Sequence, residues 1–142
     1  MFLDLPLALK IFWEAPILPQ PSVLVVDDDP SHLRIYGWIM NAAGFNAVTA
    51  QVHSSSVSLP DEDHFDVIVL YYRLTGNLTA VEAAQQIKGR YPHAPIVILS
   101  DVFGMPDDVA PYAQRFVRKG EPEKLIATIR SLVKENGAVD PQ

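Results

Sequence analysis

Cysteine is absent from this chain, so neither a disulfide framework nor a thiolate nucleophile or metal site is available to it. Cations are also scarce: 11 Lys and Arg stand against 17 Asp and Glu, a formal net charge of −6. That balance leaves no clustered basic surface to neutralise phosphates, which argues against a nucleic-acid partner. An unbroken membrane-length run is missing too. The most apolar stretch, residues 1–21, holds Phe2, Leu3, Leu5, Leu7, Leu9, Ile11, Phe12, Trp13, Ile17 and Leu18. Asp4, Lys10, Glu14 and Pro16 interrupt it. A spanning helix needs about twenty predominantly apolar residues, so stable membrane insertion is not expected. Nor is a secretory signal, because Asp4 stands where basic residues should precede the apolar run. These absences agree with a cytoplasmic location.

What is present is enough for one domain. The chain has 142 residues, 49% of them hydrophobic, which suits a single soluble unit with a full core. Three parts are expected: an apolar, proline-containing extension over residues 1–21, a folded domain over 22–136, and a short tail over 137–142. The extension reads as a segment that folds back onto the domain, or as the product of an upstream start codon. The alternative is a single amphipathic helix, Leu7 to Ala15, serving as an anchor or dimerisation segment. A homodimer is compatible with either.

From Ser22 the chain alternates strand-like and helix-like segments. Val23–Val26 is a continuous apolar run, as a parallel strand buried on both faces requires. Asp29 is placed to cap a helix with Pro30 in its first turn. Ile35, Tyr36, Ile39, Met40 and Ala43 recur at helical spacing, and Gly44 supplies the stop. Asn46–Ala50 is a second strand. Residues 51–64 are expected to hold a short or irregular helix, because Ser54, Ser55, Ser56, Ser58 and Pro60 oppose a long one. Val67–Tyr71 is a third strand, Thr79 caps a helix to about Arg90, and Ile96–Ser100 is a fourth strand. Gly104, Pro106 and Pro111 limit residues 101–114 to one or two helical turns. Arg115–Lys119 is a fifth strand. Pro122 opens the last helix, with Leu125, Ile129, Leu132 and Val133 as its apolar stripe and Gly137 as its stop. Strands alternating with helices imply a parallel sheet covered on both faces by right-handed crossovers.

In such a sheet, ligands bind at the carboxyl ends of the strands, where the order reverses. The strand ends here carry Asp27 and Asp28, then Tyr71, then Ser100, then Lys119. Strands that end in an acidic pair, a hydroxyl and a lysine resemble the receiver domain of bacterial response regulators, and the likeness runs from Ser22 to about Asn136. The resemblance implies a flavodoxin-like, doubly wound α/β fold with a five-stranded parallel sheet in the order 2-1-3-4-5, here with an irregular fourth helix. It also implies a phosphorylation pocket. Asp27 and Asp28 match the acidic pair that holds Mg²⁺, Ser100 the phosphate-binding hydroxyl, and Lys119 the lysine. Arg73 matches the residue whose main-chain carbonyl ligates the metal. Phe116 matches an aromatic switch position, and Trp38 marks a contact surface or a place for the N-terminal segment to cover. The partners implied are proteins: a histidine kinase, another regulator or an output protein.

Tyr71 departs from that pattern, because the family places its phosphoacceptor aspartate there. A phenol is a poor nucleophile at neutral pH and forms no acyl phosphate. Its presence removes one negative charge from the Mg²⁺ site, and a close charge pair is worth a few kcal/mol at an effective dielectric of about 20. Mg²⁺ binding is therefore expected to be weakened. Lys119 first and Arg73 second are the candidates to offset Asp27 and Asp28, and Ser100 is expected to bond the Tyr71 hydroxyl or a backbone group. The four histidines, His32, His53, His64 and His93, share no ligand spacing and are expected to be exposed. The leading reading is a phosphorylation-independent receiver-like domain, not an enzyme, that binds another protein. The alternatives are a regulator phosphorylated on Asp27 or Asp28 and, ranked below it, a haloacid-dehalogenase-type phosphatase. Asp27-Asp28-Asp29 contains the Asp-x-Asp of that phosphatase class, but Glu121 and Glu123 do not match its later acidic pair. A dinucleotide enzyme ranks lower still, since no Gly-rich turn follows Val23–Val26.

Overall fold

Strand β1, Ser22–Asp27, lies at the centre of the molecule, buried from Val23 onward. A computed structural model of the chain describes residues 20–139. Helix α1, Pro30–Ala42, follows β1. Strands β2, Asn46–His53, and β3, Ser56–Val57, come next. Then come β4, Val67–Tyr71, helix α2, Ala80–Arg90, and β5, Ile96–Ser100. A single 3₁₀ turn, Ala110–Tyr112, precedes β6, Arg115–Arg118, and helix α3, Pro122–Val139. The extension and anchor expectations for residues 1–19 and the last residues of the tail lie outside the described residues.

The sheet order is β3-β2-β1-β4-β5-β6. Five of these strands run parallel, and their order, β2-β1-β4-β5-β6, is the expected 2-1-3-4-5. The sixth is an addition: β3 pairs antiparallel with β2 at the sheet edge. It corrects the helix expected over 51–64. Ala50, Val52 and Val57 alternate inward instead of following a 3.6 period, so β2 continues past Ala50 and turns back at Ser54-Ser55.

Because strand side chains alternate between faces, one strand feeds two cores. Leu24, Val26, Ile68, Leu70, Ile96 and Ile98 pack with Ala83, Ala84 and Ile87 of α2. On the other face Val23, Val25, Val67, Val69, Val97 and Leu99 pack with Leu33 and Met40 of α1 and Leu125, Ile129 and Leu132 of α3. Ile35, expected on the inward stripe of α1, is 55% exposed; Leu33 and Gly37 face inward instead. Gly137 does not stop α3, which continues to Val139. Glycine costs about 1 kcal/mol relative to alanine within a helix but does not by itself terminate one. The positive-φ glycines are Gly44, after α1, and Gly120, after β6.

Candidate functional site at the strand ends

The chain leaves β1 for β2 on one side and then returns to β4 on the other, so the order reverses between β1 and β4. Val26 is in register with Leu70, and one residue further on Asp27 and Tyr71 end their strands at the crevice. Asp29 accepts a hydrogen bond from the Ser31 amide at 2.8 Å and caps α1, whose first turn is preset by Pro30. That turn carries His32 back over the end of β1.

Asp27 is 2% exposed. Its Oδ1 accepts from the Asp29 amide at 3.1 Å, and its Oδ2 lies 3.1 Å from His32 Nδ1. Burial pushes the Asp27 carboxyl above the ordinary carboxylate range, although the Asp29 amide and His32 favour its charged form. Asp28 behaves oppositely. Burial would raise it too, but the Thr75 hydroxyl and amide donate to its Oδ2, at 2.5 and 2.6 Å, and hold it below its usual value. Two adjacent carboxyls are thus driven apart by their surroundings.

Tyr71 is 9% exposed and meets His32 and Lys119. His32 packs edge-on against its ring, with centroids 5.6 Å apart at 72°. Lys119 donates to the Tyr71 hydroxyl at 3.4 Å and sits 5.2 Å from the ring centroid. Tyr36 of α1 adjoins the same cluster: burial pushes its phenol up, Lys119 pulls it down, and Tyr71 and Asp27 add to the rise. Asp28, Asp29, Pro30, His32, Tyr71, Arg73 and Thr75 line a cavity of about 490 Å³ in front of the strand ends.

The sequence-derived residues do not all meet there. Asp27, Asp28 and Tyr71 converge, and Lys119 reaches Tyr71 from the end of β6. Ser100 is fully buried and turns to its own loop, donating to Asp101 Oδ1 and accepting from the Val102 amide, each at 3.4 Å. Of its two expected bonds it makes the backbone one and not the one to Tyr71. Arg73 Nε donates to Asp101, which lowers the Asp101 carboxyl and raises the guanidinium. The expected counter-charges are therefore corrected. Lys119 goes to a phenol and Arg73 to Asp101, while His32 and Thr75 hold the acidic pair. Phe116 is half-buried and packs on the α2 side of the sheet. Trp38 is 73% exposed on α1 and does not line the cavity.

His32, Thr75 and Tyr36 were missed. Among the histidines expected to be exposed, His32 is half-buried at the cavity. Its one sequence signal was its place in the first turn of a helix begun directly after the acidic run. A hard cation such as Mg²⁺ needs about six oxygen ligands in octahedral array. Here both Asp27 oxygens and one Asp28 oxygen already take hydrogen bonds, and Tyr71 offers a neutral hydroxyl. No cluster of three acidic or histidine side chains able to hold a metal occurs among the described residues. With Tyr71 in place of a third carboxylate, the acidic pair offers such an ion less negative charge than an acidic triad would.

A parallel sheet in this order, with an acidic pair at its reversal point, defines a flavodoxin-like domain of the receiver class. The chain belongs to the response regulator receiver domain family, which residues 23–130 match. Receiver domains are signalling modules of two-component systems. The chain is similar to the transcriptional regulatory protein GlrR of Escherichia coli, with 26% identity over 88 residues, covering 62% of this chain and 20% of that one. It is also similar to the autoinducer 1 sensor kinase/phosphatase LuxN of Vibrio campbellii, with 30% identity over 84 residues, 59% of this chain and 10% of that one. The chain thus spans a fifth or less of the length of these curated relatives. A response regulator receiver domain from Clostridium thermocellum superposes with a TM-score of 0.67, at 20% identity, covering 84% of this chain and 99% of that one. Among the described residues no helix is long and apolar enough to cross a membrane.

Proposed function

We propose that this chain is an atypical receiver domain that signals without an aspartyl phosphate, by binding another protein. Tyr71 carries the reading. It ends β4 at the reversal point of the sheet, next to the end of β1 at Asp27, and this reading takes that strand end as the family's acceptor position. Its hydroxyl takes the Lys119 ammonium, which in the family would meet phosphate oxygens. Its ring fills the space against His32. Asp27, Asp28, Tyr71, Ser100 and Lys119 are then a degenerate phosphorylation pocket whose Mg²⁺ affinity is weakened. The domain is not an enzyme in this reading and acts in the cytoplasm. Its partner is a histidine kinase, another regulator or an output protein, and its conformation is set by that partner.

Intact mass spectrometry after incubation with Mg²⁺ and a small phosphodonor tests this. The natural protein gains no phosphate, and Tyr71→Asp gains a labile adduct. An adduct on the natural protein overturns the proposal, and mapping it to Asp27 or Asp28 replaces it with phosphorylation at a second acceptor.

A further inference from the structure

Strand β6 ends the sheet on the side away from β3, and among the described residues only β5 pairs with it. The Gln114 amide donates to the Ile96 carbonyl at 2.9 Å, towards β5. Backbone groups alternate along a strand, so those of Arg115 and Val117 point out from the open edge. Side chains alternate between the two faces. Arg115 lies on the face of α3, where it meets Glu135 at 2.7 Å, while Phe116 packs on the α2 face. Arg118 shares the face of Phe116, and its guanidinium stands 4.8 Å from the ring centroid of Phe103. On that face residues 101–114 supply one 3₁₀ turn instead of a full helix, and Phe103 is 90% exposed. The local charge is of one sign. Residues 109–120 hold Arg115, Arg118 and Lys119 and no Asp or Glu, within a chain of net charge −6. Glu135 answers Arg115, but Arg118 meets no carboxylate among the described residues.

We propose that the open edge of β6 takes an extended acidic segment of a partner protein as an added strand. The backbone groups of Arg115 and Val117 bond the segment. An apolar side chain of the segment packs on Phe116 and Phe103, and a carboxylate two residues away from it meets Arg118. Charge favours this occupant over a second copy. Antiparallel pairing centred between Phe116 and Val117 would set Arg115 of one chain against Arg118 of the other, and like charges directly opposite destabilise a ladder. Arginines at an edge also keep like strands apart. An aromatic ring exposed beside them instead offers apolar area to bury. The segment gives a chemistry to the protein partner proposed above and rests on that role. Peptide binding reads β6 whereas phosphate labelling reads Tyr71, so either can fail alone.

The probe is a capped, threonine-rich hexapeptide with leucine second and glutamate fourth, titrated into the isotope-labelled full chain. It shifts the Arg115 and Val117 amide resonances and slows their hydrogen exchange, leaving the β1 and β4 amides unchanged. Lysine in place of the glutamate weakens binding about tenfold, and Arg118→Glu reverses that preference. Phe103→Ala, at an exposed site that leaves the fold intact, weakens it several-fold. Methylating the peptide's edge-facing amides abolishes it. Equal affinity for the two peptides, or no shift at β6 with millimolar peptide, overturns the proposal. So does slow exchange of the Arg115 and Val117 amides before any peptide is added. If it depends on protein concentration, the edge belongs to a second copy; if it does not, the edge belongs to another part of this chain.

Discussion

At the residue scale the site is governed by how each carboxyl is solvated. Asp27 is charged at a cost, because burial outweighs the Asp29 amide and His32. Asparagine keeps an acceptor for the Asp29 amide and sheds the charge. Asp27→Asn is therefore expected to stabilise the fold at pH 7 by about 1 kcal/mol. The folded-state value of Asp27 is raised, so the folded form binds the proton first and the gain fades as pH falls through that value. Asp66 has the opposite sign. Burial would raise it, but the Ser22 amide at 2.7 Å, the Ser22 hydroxyl and His64 hold it down. Its contribution is present above the ordinary carboxylate range and is lost as pH falls through its depressed value. Asp66→Asn should cost about 1 kcal/mol at neutral pH and nothing in strong acid. Urea titrations of both variants between pH 3 and 7 check the pair, and parallel pH profiles would refute the assignment. Tyr71 was legible in the sequence because a strand end is a marked position. His32 and Thr75 were not, because each reaches the acidic pair through a local turn that no periodicity announces.

At the element scale, the hairpin of β2 and β3 stands where the sequence suggested a helix. It is latched by one side chain from α2. Gln86 accepts from the Val57 amide at 3.0 Å and donates to the Ser55 carbonyl at 3.2 Å, completing the edge that β3 would otherwise leave unpaired. Gln86→Ala should cost about 1–2 kcal/mol and accelerate hydrogen exchange at Val57 while leaving β1 and β4 protected. Uniform loss of protection across the sheet would contradict the latch. The start of α2 was readable in advance. Thr79 accepts from the Glu82 amide at 3.1 Å and Glu82 accepts from the Thr79 amide at 2.9 Å, a reciprocal capping box. Thr79→Ala should lower stability by about 1 kcal/mol in thermal denaturation. Caps and breakers are local and legible; the choice between helix and hairpin over 51–64 was not. Serines and a proline weaken a helix there, yet the edge pairing with β2 and the Gln86 latch come from outside the segment.

At the scale of the molecule, two cores share one sheet. Ile98 belongs to the α2 side, and Leu99, the next residue, to the side of α1 and α3. Truncating either to alanine leaves a cavity and should cost about 2–5 kcal/mol. Both variants should shift a single transition, seen alike by circular dichroism and tryptophan emission, because every central strand is buried from both faces. Two separable transitions would mean that the layers fold independently. Charge adds little to this cooperativity. The ion pair of Arg115 and Glu135 at 2.7 Å is largely exposed, and such pairs contribute about 0–1 kcal/mol.

The sequence by itself determined the class of fold. Buried parallel strands must be continuously apolar, crossovers must be right-handed, and the residues closing each strand must gather at one rim. It therefore also determined that a phenol, and not a carboxylate, ends β4. The tertiary structure decided which charges neutralise which, because a long lysine or arginine side chain reaches several partners and spacing along the chain does not choose among them. Only in three dimensions does Lys119 turn to Tyr71, Arg73 to Asp101, and His32 to Asp27. The extra edge strand was decided there too, since a strand's partner lies across the sheet and leaves no mark on its own sequence.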